Sequence, residues 1–126
     1  MLTIEVENRS GAEVDEAAAE ELARRVLTAE GVEDGELGLA FAGPDEMREL
    51  KRDHLGIDEA TDVLSFPIDG RDELPDGMPR ALGDVIICPE VVGSQWRGPL
   101  THGLLHLLGY DHGEAMERRE DELATR

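Results

Sequence analysis

The chain has 126 residues, enough for one domain with its own core (1–126) and too few for two. Hydrophobic residues are 40% and charged residues 33%, a soluble globular balance, and no apolar run approaches the ~18 residues that span a bilayer. The formal net charge of −18 repels polyanions at long range, which disfavours a generic nucleic-acid binder and makes any nucleic-acid site local.

The start, MLTIEVENRS, has neither the basic nor the apolar region of an export signal. Within it, residues 2–8 alternate Leu2, Ile4 and Val6 with polar neighbours, the pattern of a half-buried strand. Asp15 is placed to cap a helix through about Glu30, with Ala18, Leu22, Val26 and Ala29 at helical spacing and Gly31 or Gly35 ending it. ELGLAFA (36–42) alternates again as a second strand. Pro44 opens a helix, PDEMRELKRDHL, with Met47, Leu50 and His54 on its apolar edge.

TDVLSFP (61–67) reads as a third strand, stopped by Pro67. The Gly-, Pro- and Asp-rich segment 69–81 is a surface loop. LGDVIICP (82–89) is apolar nearly throughout and belongs in the middle of the sheet. Its Cys88, the only cysteine, reads as a buried thiol, and the lack of a disulfide partner points to the cytoplasm. Pro99 suits the first position of a helix running to Leu108, and EAMERREDELATR closes the chain as a surface helix. The order βαβαββαα predicts an α+β fold: a small four-stranded mixed sheet packed with about four helices.

Three of the four histidines fall in HGLLHLLGYDH (102–112). On a helix, His102 and His106 are four apart and stack on one face, about 5–6 Å apart at Cβ. Gly109 allows a left-handed turn that brings His112 back toward the same point. Three neutral imidazoles hold a zinc ion, or another divalent transition metal, with one coordination place open, which is a catalytic arrangement. Such a metal helix plus turn is zinc-hydrolase-like, and bound zinc lowers the pKa of its water toward about 7. Metalloproteases place a glutamate general base directly after the first histidine; here that residue is Gly103, which disfavours peptide hydrolysis. Asp111 and Glu114 lie near the third histidine as candidates for a base or an imidazole acceptor. Asp62 and Asp84, at strand starts, are candidates for the same role, while Ser65 reads as packing.

HGLLHLLGYDH resembles the H-G-x-L-H-L-x-G-Y-D-H signature of the YbeY-type endoribonucleases, the bacterial rRNA maturation factors. TDVLSFP (61–67), LGDVI (82–86) and the pattern Met116-x-x-x-Glu120-x-x-Leu123 are similar to that family's other marked segments, in the same order. The resemblance implies one zinc ion held by His102, His106 and His112 at the floor of a cleft. It further implies a single-strand-directed endoribonuclease of 16S rRNA 3′-end maturation and ribosome quality control. The partners implied are single-stranded rRNA and the ribosome or basic ribosomal proteins, with no DNA and no membrane. Where the family carries an arginine before T-D-V-L-S-F, this chain has Leu55, so Arg52 or Arg48 is the candidate phosphate contact. The segment 89–101 is also shorter than is usual in the family. Two rival readings are a zinc-braced, non-catalytic ribosome-assembly factor and a zinc hydrolase of a small ester or amide.

Overall fold

A computed structural model describes residues 1–55, 62–110 and 113–124, with the side chains of residues 54 and 55 excepted. The described elements run β1 (Leu2–Asn8), α1 (Glu16–Ala29), β2 (Gly35–Phe41), α2 (Pro44–Leu55), β3 (Val63–Pro67), β4 (Ala81–Ile87), α3 (Pro89–Val92), α4 (Arg97–Leu107) and α5 (Glu114–Ala124). The four strands form one mixed sheet in the order β1-β2-β4-β3. β1, β2 and β4 are parallel, and β3 is antiparallel to β4. β4 therefore sits inside the sheet, as its nearly continuous apolar run, broken by Asp84, predicts.

Strand alternation divides the core. Leu37, Leu39, Phe41, Val85 and Ile87 join one buried cluster with Leu22, Val26 and Leu27 of α1 and Leu100, Leu104 and Leu105 of α4. Each leucine fully withdrawn from water there contributes about 1.5–3 kcal/mol. Residues of opposite parity, Ala40, Leu64 and Ile86, pack on Met47 of α2 together with Ala42 and Cys88, so α2 covers the other face. Asp15 caps α1, its side chain accepting from the Ala18 N–H at 3.0 Å. The helix ends at Glu30 in a Schellman motif, with Val32 N donating to Leu27 O at 2.9 Å and Gly31 N to Thr28 O at 3.0 Å.

The sequence expectations differ from these elements in three places. The described residues hold five helices rather than four: Pro89–Val92 forms a single turn between Cys88 and Gly93, too short for any periodicity to register. α4 begins at Arg97, two residues before Pro99, which falls inside the first turn where a missing N–H has no acceptor to lose. The buried face of α1 is Ala19, Leu22, Ala23, Val26 and Leu27, with Ala18 and Ala29 at its margin, because α1 is gripped by both β1 and α4. Among the described residues no helix is long and apolar enough to cross a membrane.

Candidate metal centre

His102 and His106 are half-buried on α4, beside the groove that β3 and α5 border. Their ring centroids are 4.7 Å apart and their planes stand at 84°. Both rings line a groove of about 810 Å³ together with Asp62, Ser65, Pro99, Tyr110 and Glu120, bounded on one side by β3 and on the other by α5. Among the described residues its lining includes no lysine or arginine.

Each imidazole is fixed through Nδ1. His102 Nδ1 lies 2.6 Å from Glu120 Oε1, a contact 31% exposed on the histidine and 30% on the carboxylate. His106 Nδ1 lies 3.0 Å from the main-chain oxygen of Tyr110. A carbonyl oxygen only accepts, so the proton of neutral His106 sits on Nδ1 and its lone pair on Nε2. An ionised Glu120 imposes the same tautomer on His102. Holding Nδ1–H on a carboxylate or carbonyl, with Nε2 as the donor atom, is the arrangement metal-ligating histidines adopt.

The turn that places the Tyr110 carbonyl follows from Gly109. Leu108 closes α4, and Gly109 takes φ +97°, a region open to glycine and strained for other residues. Tyr110 N then donates back to Leu105 O at 3.1 Å, so the chain reverses over the last turn and its next carbonyl meets His106. Asp111 and His112 lie outside the described residues. Among the described residues no three metal-ligating side chains converge, and two of the three predicted ligands stand side by side. Two neutral imidazoles with fixed Nδ1–H groups fit a zinc ion as donor chemistry.

Gly103 acquires a packing reason. A Cβ built there would lie 2.9 Å from Val85 Cγ1 and 3.2 Å from Val63 Cγ2, so α4 rests directly on β3 and β4. A glutamate at this position would point into the sheet rather than the groove.

The other predicted site residues are scattered. Asp62 lines the groove, and its Oδ1 accepts from the Val63 N–H at 2.8 Å, holding the start of β3. Asp84 lies on the opposite face of the sheet, its carboxylate resting over Gly38 of β2, since its parity is opposite to that of Val85. There it borders a separate cavity of about 650 Å³ with Glu5, Glu7 and Arg9. The two Nδ1 acceptors are thus Glu120 and the Tyr110 carbonyl rather than Asp62 or Asp84. Glu114 is exposed in the first turn of α5, outside the groove lining. Arg48 and Arg52 are exposed on α2, Arg52 at 3.5 Å from Asp53, and neither lines the groove.

Glu120 was legible as more than a surface acid. Met116 and Leu123 are the buried residues of α5, and Glu120, four after one and three before the other, shares their stripe. A half-buried carboxylate on an otherwise apolar stripe calls for a partner. The Tyr110 carbonyl had no such signal, since a main-chain acceptor carries no residue type.

Residues 4–125 match the endoribonuclease YbeY family. A relative from Beutenbergia cavernae, named endoribonuclease YbeY, is 42% identical, with 94% of this chain and 89% of that protein aligned. One of the same name from Chloroflexus aurantiacus is 39% identical over 98% of this chain and 94% of its own length. The fold is shared with a Thermotoga maritima protein solved in solution, at a TM-score of 0.57 and 22% identity, covering 98% of this chain and 86% of that one. With the family matched over nearly its whole length, this chain belongs to the YbeY endoribonucleases.

Proposed function

We propose that this protein is a single-strand-directed, metal-dependent endoribonuclease of rRNA processing, acting in 16S rRNA 3′-end maturation and ribosome quality control. His102, His106 and His112 hold one zinc ion. Family membership supports the nuclease activity, and the relatives' name supports RNA as substrate. The observation that carries the metal assignment is the fixing of both described imidazoles through Nδ1.

A bound zinc ion supplies a Lewis acid and brings a water's pKa toward neutrality. The chain's own residues do the rest. Glu120 holds the His102 proton at Nδ1 and the Tyr110 carbonyl holds that of His106, which keeps each Nε2 lone pair in a set direction. β3 and α5 wall the groove in which both histidines lie. Among the described residues the groove lining contributes carboxylates and no lysine or arginine, which leaves the histidine centre as the place where phosphate charge is offset.

The test is cleavage of single-stranded RNA by the full chain before and after chelation, and after one equivalent of zinc is restored. Loss on chelation and recovery with zinc are expected. Cleavage indifferent to the chelator would remove the metal from the mechanism, and no cleavage by the zinc-loaded protein would favour a non-catalytic assembly factor.

A further inference from the structure

The most heavily partnered carboxylate in the described structure lies outside the groove. Glu30, at the end of α1, has a side chain only 4% exposed. Arg71, just after β3, donates from Nη2 to Glu30 Oε1 at 2.7 Å and to the Glu30 carbonyl at 3.0 Å. Arg119 of α5 donates from Nε to Oε2, and from Nη2 to Ala29 O at 3.1 Å.

Arg119 immediately precedes Glu120, the acceptor for His102. The buried residues of α5 are Met116 and Leu123, two turns apart, and the clasp of Arg119 on Glu30 and Ala29 is a further anchor for the helix between them. Glu30 is thereby tied, through one residue of α5, to the carboxylate that holds the His102 ring.

We propose that Glu30 is a positioning residue for the histidine centre: by clasping Arg119 it sets Glu120, the Nδ1 acceptor of His102. The proposal rests on reading His102, His106 and His112 as metal ligands. Glu30 touches neither substrate nor imidazole and acts only through Arg119.

The experiment compares the full-length wild type with Glu30→Gln, Arg119→Gln and, as a control, Glu46→Gln, which breaks an ion pair with Arg9 remote from the groove. Zinc affinity is measured by competition with a chromophoric chelator well below each variant's Tm. Imidazole tautomers are read by long-range 1H–15N NMR on the metal-free proteins. Glu30→Gln is expected to weaken zinc binding about 10-fold or more, and to mix the tautomers of His102. It should lower kcat for single-stranded RNA with KM held. Glu46→Gln should stay within about twofold of wild type in zinc affinity. A Glu30→Gln protein with a lowered Tm but wild-type zinc affinity and unmixed tautomers overturns the proposal, since Glu30 would then only brace the fold. If that variant does not fold, Arg119→Gln decides: it leaves Glu120 in place and removes the clasp on Glu30, so weaker zinc binding with mixed His102 tautomers supports the proposal and unchanged binding overturns it. A wild type that binds no zinc overturns the metal-ligand reading and this inference with it, whereas zinc-binding wild type with indifferent variants overturns this inference alone.

Discussion

His102 donates into a carboxylate and His106 into a carbonyl, and this difference has consequences. Substituting Glu120→Gln keeps the volume and an acceptor oxygen but loses the charge, so zinc affinity should fall about 10–100-fold by chelator competition, with the Tm nearly unchanged. Glu30 makes a separate prediction. Burial pushes its carboxyl up, but the Arg119 guanidinium, the Tyr110 hydroxyl and Arg71 outweigh burial and hold it below its usual 4.5. A depressed carboxylate contributes stability that is present above that usual value and lost as pH falls through the lower, folded-state one. A Tm profile from about pH 7 down to pH 3 should therefore drop on its acid limb, and Glu30→Gln should flatten that limb. The histidine spacing made the metal reading possible from sequence alone, because side chains four apart on a helix have one relative placement. Glu30 was not legible, since its partners come from the segment after β3, the turn after α4 and the middle of α5, and no local pattern joins them.

Helix α4 is held on the sheet by the absence of a side chain. Gly103 leaves room for Val63 and Val85, and both of those are β-branched and stiff. Gly103→Ala gains about 1 kcal/mol of helix propensity, but forces a methyl to 2.9 Å from Val85 Cγ1, so a net loss of about 1–3 kcal/mol is expected in denaturant unfolding. An unchanged midpoint would mean that α4 shifts outward freely, and the two imidazoles with it. β1 spans the residues its alternation marks, and α2 spans its predicted twelve-residue segment, because period and caps agree there. α3 and the early start of α4 escaped notice for one reason: one turn without an apolar stripe or a capping side chain leaves no periodic trace.

Over the whole molecule, a net charge of −18 has to coexist with an RNA substrate. Among the described residues the groove lining offers Asp62, Glu120 and the histidines and no lysine or arginine, so few counterions are displaced when a strand binds. The slope of log K against log salt for a single-stranded oligonucleotide should be shallower than about −3, and one steeper than about −5 would reveal a cationic track elsewhere on the surface. The same charge favours basic proteins, such as those of the ribosome, as partners. Such association should weaken between low and high salt in a pull-down with the intact chain. The central claim is that histidine nitrogens hold a metal ion above α4, and X-ray absorption at the zinc edge of the loaded, full-length protein addresses it most directly. One zinc per chain with a shell of imidazole nitrogens at about 2.0–2.1 Å is the predicted result. A sulfur shell, or zinc that His102→Ala and His106→Ala do not displace, would contradict it.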